Sequence, residues 1–193
     1  MFKKISKKNS IFKYLAISFF IIILDQVVKI YIYFNVEAGS LGEIQIIENL
    51  FTIHYITNPG IAFGIELPYK YGNFFITFLR IIIISIIIYN FLNLKNKKSN
   101  NKKLLGLSFI IGGAIGNTID NIFYGFFLKN SHSNFTWFNG QVIDMFYINI
   151  YEGFIPKYIP IIGNSYFSIF PIFNMADLFI TIGVFIIIYI KEK

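Results

Sequence analysis

Four long apolar stretches leave this chain essentially one solvent to fold in. They run about Ile11–Phe34, Phe74–Leu92, Leu104–Phe127 and Ile172–Ile190. Each is near the roughly 20 residues that an α-helix needs to cross the hydrocarbon of a bilayer. Ile81–Ile88 and Phe185–Ile190 are near-continuous β-branched and aromatic runs that could be strands in water. In lipid, at this length, a helix is the form that satisfies its own backbone hydrogen bonds. Composition agrees: 14% of residues are charged and 55% hydrophobic, against about 25% charged in an average soluble domain. A secreted globular enzyme, a disordered protein and a nucleic-acid binder are excluded.

The net charge of +7 is a matter of orientation. Lys3, Lys4, Lys7, Lys8 and Lys13 precede the first stretch, Lys95, Lys97, Lys98, Lys102 and Lys103 lie between the second and third, and Lys191 and Lys193 close the chain. Short Lys-rich segments stay cytoplasmic, so both termini are expected inside. The long connections 35–73 and 128–171 are expected outside. The first stretch is read as a retained anchor and not a cleaved signal, because it is long, carries Asp25 and Lys29 and lacks a small-x-small cleavage site. The expected fold class is a membrane all-α protein with a small β element, in a single domain spanning residues 1–193. The β element is expected in the first outer loop, where Gln45–Asn58 shows an imperfect period-2 pattern ending in Asn58-Pro59-Gly60.

The polar residues that interrupt the spans are the informative ones, because a carboxylate near mid-span costs about 2.5–3.5 kcal/mol on insertion scales. Asp25 and Lys29 are four apart on one helix face, either as an ion pair, with Lys29 snorkelling outward while Asp25 holds it, or as support for a site or a headgroup. In the third span Gly112 and Gly116 form a GxxxG, which permits close helix approach. Asn117, Asp120 and Asn121 form a polar stripe beside it. Asp144 has two apolar residues on each side. Asn174 and Asp177 are three apart, and with the fourth helix starting at Ile172, Asp177 lies about two turns in, on the order of 8 Å below its outer end. Asp144 and Asp177 thus approach the outer interface from different segments. Two such acids suit aspartic-protease chemistry: one activates water while the other, protonated, polarises a carbonyl.

Other chemistries fare worse. There is no cysteine and there are two histidines, so neither a thiol nucleophile nor a His-rich metal site is expected. His54 and His132 are read as surface residues, and Arg80 as a side chain that could simply snorkel. A small proton-coupled carrier using the buried acids, and a non-enzymatic membrane scaffold, are the alternatives.

The blocks Asp25-Gln26-x-x-Lys29, Asn58-Pro59-Gly60-Ile61-Ala62-Phe63-Gly64, Gly112 to Asp120, Val142-Ile143-Asp144-Met145-Phe146 and Phe173-Asn174-Met175-Ala176-Asp177 occur in that order. In this the chain resembles the lipoprotein signal peptidases, signal peptidase II, of aspartic protease family A8, along nearly its full length. The resemblance implies an intramembrane endopeptidase of the bacterial cytoplasmic membrane, with its site near the outer face. It would cut a diacylglyceryl-modified prolipoprotein before the lipidated cysteine and would be sensitive to globomycin. Asp144 and Asp177 would be the catalytic pair. Asn58, Gly60, Asn117, Asn121 and Asn174 would bind substrate or shape the site, with Asp25, Lys29 and Asp120 as structural support. No cofactor, metal or nucleic-acid partner is implied. The expected partners are the prolipoprotein and membrane lipid, and a monomer is expected. Two departures stand out. The family usually has Arg where this chain has Asn121, so a basic contact to substrate carbonyls is missing, weakened or supplied elsewhere. The stretches 125–144 and 146–170 are also longer than in compact members, which implies an outer elaboration over the site.

Overall fold

A computed structural model describes residues 3–39, 42–58, 72–94, 101–129, 137–154, 156–158, 164 and 166–189. The chain runs through α1 (Lys3–Asn35), β1 (Ile44–Ile47), β2 (Phe51–Asn58), α2 (Gly72–Asn93) and α3 (Asn101–Ile119). A π-helical turn (Asp120–Tyr124) and the short α4 (Gly125–Phe127) continue α3. Then follow β3 (Val142–Ile148), β4 (Glu152–Phe154), β5 (Tyr166–Ser168) and α5 (Met175–Ile188). Among the described residues two helical segments, Ile11–Asn35 and Gly72–Asn93, are long and apolar enough to cross a membrane, and α5 is a shorter apolar helix.

α3 is the central helix and packs on α1, α2 and α5. Its small residues permit this. A side chain on Gly112 would strike Ile21 and the Ser18 carbonyl of α1, and one on Gly113 would come within 2.4 Å of the Ala176 carbonyl of α5. The adjacent glycines of α3 therefore serve two partners. Outward faces stay apolar, with Phe19 and Phe20 on α1, Phe75 and Ile86 on α2 and Phe185 on α5 exposed, as helices solvated by lipid require. One apolar cluster joins Ile11, Tyr14, Phe91, Leu104 and Ile111. A second, at the other end of α1, joins Ile32, Val36, Tyr124, Ile143 and Met145, and so ties the helices to the sheet.

The expected β element is present and larger than the first loop alone. β1, β2 and β3 form one antiparallel sheet in that order. Asn58 pairs with Val142 and Ile56 with Asp144, with a bulge between Ile53 and Ile56. The free edge of β3 exchanges backbone hydrogen bonds with Phe173: Phe146 N–H donates to the Phe173 carbonyl at 2.8 Å and Phe173 N–H to the Phe146 carbonyl at 3.0 Å.

That bridge corrects the expected start of the last helix. Pro171–Phe173 is not helical, and α5 begins at Met175 with Asn174 as its N-cap. Asp177 consequently lies in the first turn and not two turns down. A capping box explains this. Asn174 Oδ1 accepts the Asp177 backbone N–H at 2.9 Å, and Asp177 Oδ2 accepts the Asn174 N–H at 3.4 Å; this satisfies two orphan donors of the helix end.

Candidate active site

Two acids meet where β3 passes the start of α5. Asp144 arrives on the strand and is buried. Its two carboxyl oxygens accept from side-chain amides: Oδ1 from Asn174 Nδ2 at 2.6 Å and Oδ2 from Asn58 Nδ2 at 3.0 Å. Asn58 can do this because it ends β2 one pleat from Ile56, the residue opposite Asp144. Burial, reinforced by the negative charge of Asp177, pushes the Asp144 pKa up to about 7. Asp177 Oδ1 accepts from Asn117 Nδ2 at 2.8 Å. Asn58, Asn117, Asn174, Asp144 and Asp177, which come from four separate elements, therefore form one cluster. Gly60 and His132 lie outside the described residues.

Beneath this cluster is a second, fully buried one. Lys29 Nζ sits 2.8 Å from Asp25 Oδ2 and 2.6 Å from Asp120 Oδ2, with all three side chains sealed from solvent. The contact to Asp120 is an ion pair without hydrogen-bond alignment. Lys29 also donates to Asn117 Oδ1 at 2.8 Å. An ammonium has donors only, so Asn117 must present its oxygen to Lys29 and its Nδ2 to Asp177. Asp25 Oδ1 accepts the backbone N–H of Ala176 at 2.9 Å, at the N-terminus of α5, where an anion is favoured. Asp25, Lys29 and Asp120 thus hold the first turn of α5 against α3. Snorkelling does not describe Lys29: it points inward.

Asn121 is almost wholly buried. Its Nδ2 donates to the Gly140 carbonyl at 2.9 Å and its Oδ1 accepts from Arg80 at 2.5 Å. Arg80 therefore turns into the bundle, which corrects the snorkelling alternative. His54 is also buried, with Nδ1 3.4 Å from Glu43 and its ring edge-on to Tyr147, so it is not a surface residue.

Several contributors had no reading in the sequence. Gln26 donates to Asp120 Oδ1 at 2.9 Å and accepts from Tyr124 OH at 3.0 Å; its place beside Asp25 in an apolar span was the available signal. Gly140 precedes β3 where a side chain would fall 2.2 Å from the Asp120 carbonyl, so only glycine lets β3 approach the π-helical turn so closely. No short-range pattern announces that contact.

Two acids on one amide network, at the end of an apolar bundle, are the kind of arrangement an aspartic hydrolase of the membrane needs. The family model described as "Signal peptidase (SPase) II" matches residues 17–191. The chain belongs to that family, which makes it an aspartic peptidase of family A8 and removes the carrier and scaffold readings. It is 41% identical to a lipoprotein signal peptidase of Amoebophilus asiaticus, over 95% of this chain and 79% of that one. It is 37% identical to a lipoprotein signal peptidase of Porphyromonas gingivalis, over 90% of this chain and 80% of the relative. Among solved structures it is similar to a bacterial membrane enzyme determined in meso at 2.3 Å resolution. The TM-score is 0.61 at 28% identity, over 91% of this chain and 85% of that one. A second, determined at 1.9 Å resolution, has a TM-score of 0.60 at 29% identity, over 91% and 90% of the two chains.

Proposed function

We propose that Asp144 and Asp177 together cleave prolipoproteins at the peptide bond before the diacylglyceryl-modified cysteine, with water as the nucleophile. The observation that carries this reading is the single amide, Asn174, shared by both acids. Asp177 sits in the first turn of α5, where the helix dipole favours a carboxylate, and accepts from Asn117. It takes a proton from water as the oxygen attacks the scissile carbonyl carbon. Asp144, whose burial favours the neutral acid, gives its proton to the carbonyl oxygen. In the collapse of the resulting diol, Asp177 passes its proton to the departing amine and Asp144 recovers its own. No covalent intermediate forms and no metal takes part.

The placement follows the same reading. Four helices span the bacterial cytoplasmic membrane with both termini inside, and the β1–β2–β3 sheet lies at the outer face beside the scissile segment. The diacylglyceryl chains lie between helices, the chain works as a monomer and single domain, and Asn58, Asn117 and Asn174 shape the site. Lys-rich segments on one side of the apolar stretches support this topology.

The test is cleavage of a diacylglyceryl-modified lipobox peptide by purified protein in nanodiscs. Asp144→Asn and Asp177→Asn are each expected to lose at least about 100-fold in rate, the scale of a lost general acid or base, with insertion and Tm retained. Near-normal turnover by either variant would exclude this assignment.

A further inference from the structure

Arg80 is the one charged side chain in α2 (Gly72–Asn93). A charge inside an apolar span is costly and faces the bundle interior when it has work there. Arg80 faces inward, half-buried, with Nη1 2.5 Å from Asn121 Oδ1. Asn121 is itself fixed by the Gly140 carbonyl at 2.9 Å. One turn earlier on α2, Thr77 donates to the Phe138 carbonyl at 3.2 Å. The hydroxyl of Thr77 shows that docking α2 onto this turn needs no charge. What a guanidinium adds is a positive fork within electrostatic reach of Asp177, Asp120 and Asp144. The other cation beside the acids among the described residues, Lys29, is sealed between Asp25, Asp120 and Asn117 and cannot reach a bound peptide. A peptide lying across Asp144 and Asp177 brings carbonyl oxygens into a low-dielectric site, where each needs a donor. A guanidinium carries five N–H donors, so it can keep its partners within the protein and still donate to one more oxygen.

We propose that Arg80 is a substrate-binding residue of this peptidase: oriented by Asn121, its guanidinium donates to a main-chain carbonyl of the peptide held between Asp144 and Asp177. This rests on the assignment of those two acids. The contact between positions 80 and 121 has a further consequence. A guanidinium carried on position 121 can reach the same space, so the donor is transferable from α2 to the π-helical turn.

The experiment measures kcat/KM on the lipobox peptide in nanodiscs, Tm, and binding of the intact peptide in an Asp144→Asn background. Arg80→Gln is expected to lose about 10- to 100-fold in kcat/KM, the range of a hydrogen bond to a charged group, and a matching factor in binding. Asn121→Arg alone crowds two guanidiniums together and weakens binding. Arg80→Gln combined with Asn121→Arg recovers most of both readouts, which a purely structural clamp on α2 would not give. Arg80→Gln within about twofold of the wild type in kcat/KM and binding, with both Asp variants inactive, overturns the proposal. A folded double variant as slow as Arg80→Gln also overturns it. Should Arg80→Gln lower Tm, Arg80→Lys keeps the charge without the fork, and an unchanged kcat/KM there overturns it as well. Activity retained by Asp144→Asn and Asp177→Asn would instead show that the underlying assignment of the acids is wrong.

Discussion

Asn174 links Asp144 and Asp177 with its own amide. Nδ2 donates to Asp144 Oδ1 at 2.6 Å, while Oδ1 accepts the Asp177 backbone N–H at 2.9 Å. One side chain thus caps α5 and sets the strand acid relative to the helix acid.

These two duties should separate by mutation. Asn174→Asp keeps an N-cap acceptor but turns the donor toward Asp144 into a second acceptor. It is expected to fold with nearly unchanged Tm and to lose most cleavage. Asn174→Ala removes both duties and should also cost about 1 kcal/mol of stability through the lost cap. Thermal unfolding and peptide cleavage, measured on both variants, check this. Full activity in Asn174→Asp would show that the Asp144 contact is dispensable.

Cleavage should fall on the alkaline side. If Asp144 is the proton donor, its pKa of about 7 means that raising the pH above that value empties the acid. The expected profile of kcat/KM declines by about tenfold per pH unit beyond the pKa. The stability sign agrees. Asp144 is pushed up from 3.8, so the unfolded chain releases this proton first. The group's contribution is full below the ordinary carboxylate pKa and is lost as pH rises through the folded value. Asp144→Asn should flatten that part of the dependence of Tm on pH. A flat activity profile from pH 6 to 9 would contradict the proton-donor role.

Gly140→Ala should destabilise the protein by about 1–3 kcal/mol, the cost of forcing a methyl into a packed interior. Its new carbon would meet backbone, the Asp120 carbonyl at 2.2 Å and the Gly125 nitrogen at 2.8 Å, and backbone cannot rotate away. Because β3 carries Asp144 four residues later, cleavage should fall together with Tm. Wild-type Tm in Gly140→Ala would show that the turn is looser than this packing implies.

Exhaustive EDTA treatment should leave cleavage intact. The chain has no cysteine and two histidines, and among the described residues no three His, Cys, Asp or Glu side chains converge as metal ligands would. Loss on chelation with recovery on adding a divalent ion would overturn the water-and-two-acids mechanism.

Much was legible before any coordinates. Apolar run length marks the helices, because each satisfies its own backbone over a contiguous segment. The cost of a carboxylate in such a run singles out Asp25, Asp120 and Asp177. The spacing of Asn174 and Asp177 places them on one face, and the period-2 pattern of Phe51–Asn58 marks a strand. The start of α5 was three residues off, because the capping box of Asn174 and the bridge from Phe173 to Phe146 compete with apolar periodicity.

What only the tertiary structure decided are the pairings between distant segments. β3 is a strand because β2 and Phe173 take up its backbone groups, and that alone brings Asp144 beside Asn174. The amide of Asn117 faces Asp177 because Lys29, 88 residues earlier, can only donate. Arg80 turns inward because Asn121 and Gly140 offer it a fixed acceptor. Local sequence carries each residue's preference for helix or strand. Which polar partner it meets depends on long-range packing, and for a buried charge that partner decides its role.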